Sequence, residues 1–585
     1  MSEASNAEIR DTAEVRNTTA KPTSTPARAP RTFPWWSLIL VVVLWAVSFP
    51  QLDQYNVTWD EALGDLFFGQ RYLSFFTSFD PDYLEFTADP YPADHRPDLG
   101  LSPFRSRPWE YYPVANTLAA ATSWLFSSSL GWLDPFDGFH AVNLILASIF
   151  LVVWAPFVAR RSDLATAIAA CILLFSHPRL FAHLLANIKD IPLMFVYTLT
   201  LVVFHRAWER GSVPGLFGAG VMWGLTLGCK ANALFLPGIP LLLLLFAPVP
   251  EPWRGRRWRL AAWSCAAATT GVVVMVAVWP YLWADPIGRI LEHLRYIGFR
   301  GDITRPESLA PVAEAILLTT PLPLLIGTLF GVVVAVMRAR RGDRFAWLLL
   351  VWPPVVLGRY ILPQAVNFDG VRHFLELFPA MTVLAALGWT TVIGKVFERL
   401  PNLRADRLRP LLLALILTPS LAATVGSHPF QLAWWNPLIG GYAGARATDQ
   451  PQAGDYWGTS YRLGLDWLNE HAPRDSLLAV PVIEHAVRLV ASERLRQDIQ
   501  LLPLVTPYSP VIAADRLDLT RRAAADRPLF VMFVDRRDWW NELMAESLTR
   551  GELVQVWELE DTPVLYVFRY HPPPGTEPYR IPPLR

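Results

Sequence analysis

Apolar runs as long as a bilayer is thick constrain this chain more than any other feature. A membrane-spanning helix needs roughly 20 mostly apolar residues. The first such run is WWSLILVVVLWAVSFP at 35–50. Others follow near 139–158, 163–181, 190–206, 213–229, 232–249, 260–283, 312–336, 345–362, 373–393 and 410–426. Composition agrees. Charged residues make up 17% of the 585 positions, against about 25% in soluble proteins. The 25 Trp suit membrane–water interfaces, and the 51 Pro are tolerable where neighbouring helices re-satisfy freed backbone groups. The expectation is a polytopic α-helical membrane protein. Zero net charge offers nothing toward nucleic-acid binding. Cys171, Cys229 and Cys265 lie in apolar segments without CxxC or Cys/His spacing, which argues against a thiolate zinc site or a disulfide framework.

Residues 1–33 are polar, rich in Thr, Ala and Pro, and without apolar periodicity. They read as a disordered cytoplasmic tail. Segment 113–131 (PVANTLAAATSWLFSSSLG) is long enough to span but rich in Ser, Thr and Ala. Loop charge decides its fate. If it lies flat on the outer interface, one side of the membrane collects Arg160 and Arg161, Arg206 and Arg210, Arg254 to Arg259, Arg338 to Arg344, and Lys395 to Arg409. If it crossed, Arg160 and Arg161 would face outward and every later loop would invert. The reading is therefore about eleven spans within 34–426, with the N-terminus inside and a first extracytoplasmic loop at 51–138.

The remainder, 427–585, then forms an outer soluble α/β domain. SLLAVPVI (476–483) and PLFVMFVD (528–535) are strand-like. LVQVWELEDTPVLYVFRY (553–570) carries a turn between two apolar arms and predicts a hairpin. The stretch 460–470 reads as helical.

With this topology the unusual polar residues share one membrane face. TWDEALGD (58–65) opens the first outer loop, HPRLFAHLLANIKD (177–190) joins spans three and four, and GCKAN (228–232) joins spans five and six. NFDGVRH (367–373) joins spans nine and ten, and DYWG (455–458) lies in the outer tail. Each has a bland reading. Thr58 can cap a helix with Glu61 three residues on. Lys230 can snorkel to the interface. His177 and His183 sit six apart, not at the i, i+4 spacing of a helical metal pair. Together the bland readings weaken, because an ionisable group inside the bilayer costs about 2.5–3.5 kcal/mol. Lys189, Asp190, Lys230, Asp369 and Arg372 all flank spans on this face. Such a cavity suits an anionic, lipid-attached substrate. Tyr456 and Trp457 are candidates to stack on a sugar face.

These segments resemble something known. TWDEALGD, the flat segment before span two, HPRLFAHLLANIKDIPLMF, GLTLGCKANALFLP, FDGVRHFLELFPA, and HPFQLAWWNPLIGGYAGA with DYWGTSYRLGLDWLNEHAP resemble bacterial membrane enzymes of the dolichyl-phosphate-mannose–protein mannosyltransferase group (glycosyltransferase family 39). Aminoarabinose transferases acting on lipid A are more distant relatives. The resemblance covers roughly 35–475 and implies a GT-C fold in the inner (plasma) membrane. It implies a sugar donor linked through phosphate to a polyprenol, and transfer with inversion to an acceptor hydroxyl of protein Ser/Thr or glycolipid at the outer face.

On this resemblance Asp60 is the candidate general base and Glu61 its support, with Asp65 nearer solvent and structural. Lys189, Lys230 and Arg372 are candidates to hold phosphate, and Asp190 to hold a neighbouring cation. Asp369 and His373 would line the sugar pocket, and His177, Arg179 and Asn232 complete the substrate-binding set. The family usually has arginine where this chain has Lys189, and no segment is long enough for the β-trefoil of eukaryotic relatives. Some GT-C enzymes use a divalent ion such as Mg or Mn. This chain is read without a metal ligand set, although metal dependence stays open. The competing class is a lipid-linked saccharide transporter or flippase, which would place its site near the bilayer midplane between repeats.

Overall fold

A computed structural model describes residues 34–86, 106–300, 310–361, 369–400, 405–450, 452–504 and 511–581. The expected tail 1–33 lies outside these residues. Among the described residues, seven helices are long and apolar enough to cross a membrane: Trp36–Gln54, Pro135–Ala159, Asp190–Arg210, Arg257–Val278, Leu322–Arg340, Gly370–Arg399 and Arg407–Gly426. Leu164–Phe175 and Pro178–Ala186 are long and apolar enough only as a pair, and are bent by 70° at the break between them. Pro178 causes the bend. A residue before proline is driven into extended backbone, and His177 has φ −87° and ψ 116°. The chain is a multi-pass helical membrane protein.

The other three expected spans are shorter helices. Val213–Leu227 has 15 residues, as does Arg344–Gly358, while Ala231–Phe246 opens with a 3-10 turn. The interruptions fall at Lys230 and Arg359. Their side chains are drawn into ion pairs with Asp190 and Glu376 instead of continuing a lipid-facing helix. Segment 113–131 is a helix, Pro113–Ser123, continued by the π turn Trp124–Ser129. It packs against helices Leu66–Ser78 and Pro135–Ala159 and is not a candidate span.

The arginine-rich loops meet at one end of the bundle. Arg161 pairs with Glu209, Arg338 donates to the Arg161 carbonyl at 2.7 Å, and Arg344 donates to the Pro248 carbonyl at 2.8 Å. Helix Asp190–Arg210 has 21 residues, so about 30 Å separates this end from Asp190. Glycines let helices approach closely. A Cβ at Gly331 would overlap the Leu384 carbonyl, and one at Gly388 would lie 2.3 Å from the Gly327 carbonyl oxygen.

After the last span a five-stranded sheet forms from β1 (Leu477–Ala479), β2 (Gln500–Leu501), β3 (Leu529–Val534), β4 (Glu552–Leu559) and β5 (Thr562–Tyr570). Its order is β2-β1-β3-β5-β4, parallel among the first three strands and antiparallel thereafter. The expected hairpin is β4–β5. Glu560 and Asp561 form its two-residue turn with φ 51° and 55°, the left-handed pair that matches strand twist. Helix Tyr461–His471 agrees with the expected helical stretch at 460–470.

Candidate active site

The segment Thr58–Asp65 is held by Glu61. The Glu61 carboxylate accepts from the Thr58 backbone N–H at 2.8 Å and from the Ile188 backbone N–H at 3.2 Å, and His140 Nε2 lies at 3.2 Å. Glu61 thus ties the first loop to the turn that carries Lys189 and Asp190. Only the glutamate half of the expected capping box forms, because the Thr58 hydroxyl is buried without a partner. Gly64 admits a close neighbour. A Cβ there would lie 2.4 Å from the Tyr111 ring, which stacks on Phe68 and sits 5.8 Å from Lys189 Nζ.

From this frame an alternating chain of charges is built. Lys189 Nζ lies 3.0 Å from Asp65 and 3.9 Å from Asp60. Asp60 accepts from Arg372 Nη1 at 2.9 Å. Arg372 also grips Asp369, with Nη2 at 2.8 Å and Nε at 3.1 Å, and lies 3.8 Å from Asp190. Asp190 in turn pairs with Lys230. The segments joined here lie up to 312 positions apart. Asp60 keeps 26% of its side chain exposed, whereas Asp65 and Asp190 keep 1% and Asp369 6%. Asp60 is therefore the carboxylate of this group that a solvent-side molecule can reach.

Asp65 departs from the expectation. It is buried, not nearer solvent, and Asn116 donates to it at 3.1 Å. Burial pushes its carboxyl up to about 6, against the pull of Lys189. A π turn across Glu61–Asp65 explains the change of face, since a regular 3.6-residue period would place Asp65 elsewhere. Asp190 engages Lys230 and approaches Arg372, while Lys189 turns to Asp65.

The remaining candidates form a flank. Asn232 donates to the His373 carbonyl at 2.9 Å, so the GCKAN turn is fastened to the Arg372 segment. Arg359 also donates to that carbonyl and pairs with Glu376. Arg179 donates to the Trp434 carbonyl at 3.1 Å and lies 4.7 Å from the Trp435 ring. His177 is buried against Phe378 with neither ring nitrogen bonded. The expected stacking pair is already engaged. The Arg372 guanidinium covers the Trp457 ring at 4.7 Å, and the Tyr456 hydroxyl meets His183 Nε2 at 3.1 Å. Among the described residues no group of three His, Cys, Asp or Glu side chains has the geometry to hold a metal ion.

Sequence reasoning missed Arg536, which lies in a part of the tail without a motif. Its Nη2 lies 3.4 Å from Asp369, it donates to the Tyr456 carbonyl, and its guanidinium sits 5.2 Å from the Trp59 ring. Only the continuous apolar run of β3 marked a strand ending there. The DYWGTS stretch owes its shape to Asp455, which accepts from the backbone N–H groups of Trp457, Gly458 and Ser460 at 3.2, 3.0 and 2.7 Å.

Comparison with known proteins points the same way as the sequence motifs. Residues 135–283 match the family model described as dolichyl-phosphate-mannose-protein mannosyltransferase. No curated protein matches the chain. Among solved structures, ArnT from Cupriavidus metallidurans is similar in its apo state at 14% identity and TM-score 0.47, covering 91% of this chain and 97% of that one. Its undecaprenyl-phosphate complex is similar at 15% identity and TM-score 0.46, covering 91% and 98%. The Archaeoglobus fulgidus oligosaccharyltransferase is similar at 14% identity and TM-score 0.47, covering 94% and 76%. Over residues 135–283 the chain is similar to the dolichyl-phosphate-mannose-protein mannosyltransferase family.

Proposed function

We propose that this chain is a membrane glycosyltransferase that moves a sugar from a polyprenyl-phosphate donor to an acceptor hydroxyl, of protein Ser/Thr or a glycolipid, with inversion. The site would lie at the outer face of the inner membrane, with the N-terminus cytoplasmic and the sheet unit extracytoplasmic. The observation that carries the reading is Asp60: a partly exposed carboxylate set between Lys189 and Arg372 in a largely buried group of acids and cations. In the proposed step the acceptor oxygen attacks the anomeric carbon and Asp60 takes its proton, as a general base does. The bond from the anomeric carbon to the phosphate oxygen breaks, and the electron pair leaves on the phosphate. Arg372, Lys189 and Lys230 supply cations for that oxygen. An arriving phosphate would share Arg372 with Asp60, and losing part of that field strengthens the carboxylate as a proton acceptor. Glu61 and Asp190 are positioning residues in this reading, and His177, Arg179, Asn232, Asp369 and His373 shape the pocket.

The family match over 135–283 and the ordered motifs support this assignment. The test is incubation of purified protein with a panel of polyprenyl-phosphate sugars, with release of polyprenyl phosphate as readout. Sugar movement across liposomes without transfer would favour the flippase reading. Loss of release in EDTA, restored by manganese or magnesium, would add a metal to the site.

A further inference from the structure

We infer that the C-terminal sheet unit completes the active site, with Arg536 as the positioning residue that sets the Asp60–Arg372 pair. This rests on the glycosyltransferase reading above. β1 and β3 are parallel, and the chain beyond their carboxyl ends supplies His485, Arg536 and Trp539, the place where open α/β sheets present functional groups. All three converge on Trp59, the residue before Asp60. His485 Nε2 lies 3.2 Å from the Trp59 carbonyl, and its ring centroid is 5.3 Å from the indole. Trp539 meets the indole edge-on at 4.6 Å. Arg536 lies beside both indoles, its guanidinium 5.2 Å from Trp59 and 5.5 Å from Trp539.

The other arm of Arg536 reaches the site itself. Asp369 is gripped from two sides, by Arg372 through one carboxylate oxygen and by Arg536 through the other at 3.4 Å. Asp369 has φ 58° and ψ 37°, a left-handed conformation that needs outside support in a non-glycine residue. Arg536 also donates to the Tyr456 carbonyl, next to the Trp457 ring under Arg372. One buried guanidinium thus fixes both ends of the Asp60–Arg372 contact, through Trp59 on one side and Asp369 on the other. Only arginine offers donors in a planar fork that also stacks on aromatic faces.

The test compares wild type with R536Q and R536K, using polyprenyl phosphate release and amide hydrogen exchange over residues 58–65. R536Q should lower kcat by about 10²-fold, the scale of a 1 Å misplacement at a reacting group, with KM near wild type. It should also speed exchange over 58–65, and R536K should recover part of kcat. A purely structural arginine would lower the yield of folded protein and leave kcat and KM per folded molecule unchanged. Wild-type kcat in R536Q, or unchanged exchange over 58–65, overturns the inference. If wild type itself releases no polyprenyl phosphate, the transferase reading fails, and the exchange measurement still decides whether Arg536 holds the segment.

Discussion

Two acid–cation networks join the first loop region to distant parts of the chain, and they differ in what they leave open. In one, Asp134 and Asp137 meet Arg462 and Arg494 from the tail. Arg462 takes Asp137 with two nitrogens at 2.6 and 3.0 Å and donates to the Tyr55 carbonyl at 3.0 Å. Two acids answer two arginines, and the partly exposed Asp134 is held by both of them. In the other, Asp60, Asp65, Asp190 and Asp369 face Lys189, Lys230 and Arg372, with Arg536 behind. In this network Asp60 sits between Lys189 and Arg372 and keeps 26% of its side chain exposed. The first network is a brace. The second can exchange an internal partner for a ligand.

The comparison can be broken by paired substitutions. Asp60→Asn should cut sugar transfer by about 10²–10⁴-fold, the range of general-base catalysis, with little change in the thermal unfolding midpoint. Near wild-type release would remove Asp60 as the base. Arg462→Ala should do the reverse. Leaving Asp137 buried beside a vacancy should cost about 3–5 kcal/mol of stability, with transfer per folded molecule retained. If its kcat falls while the unfolding midpoint holds, the brace belongs to the site.

Smaller effects sharpen the contrast. Gly64→Ala forces a methyl group into the Tyr111 ring and should cost about 1–3 kcal/mol, as overpacking does. Thermal unfolding and the KM for donor would read it, because Tyr111 borders Lys189. Glu61→Gln keeps one acceptor oxygen and should destabilise by about 1–3 kcal/mol, seen as faster exchange at Thr58 and Ile188.

A pH slope tests the buried part of the same network. The Asp65 carboxyl is pushed up to about 6 by burial, against about 3.9 in an unfolded chain. Between those values the folded protein holds the extra proton, so stability falls as pH rises from about 4 to about 6. Wild type should lose unfolding temperature relative to Asp65→Asn across that window and run parallel to it above pH 7. Parallel curves throughout would mean that Asp65 titrates like an ordinary carboxyl.

Much of the architecture is legible from sequence for a physical reason. Bilayer thickness sets a length, so runs such as 139–158 and 190–206 announce helices. The alternating arms of 553–570 around Glu560 and Asp561 announce a hairpin. Asp60, Lys189, Asp190, Lys230, Asp369 and Arg372 are legible as site candidates because charge beside lipid is costly. Their pairing is another matter. Whether Lys189 turns to Asp65 or to Asp190 depends on a π turn and on the Glu61 tether, neither of which leaves a periodic mark. The shortening of three spans depends on which charge a distant partner captures. Arg536 is one arginine among many until β3 carries it to Trp59 and Asp369. Sequence by itself determined which segments enter the membrane and which residues could not rest there alone, because solvation free energy is local. Tertiary structure alone decided which acid stays open and which arginine braces it, because those outcomes depend on contacts between residues hundreds of positions apart.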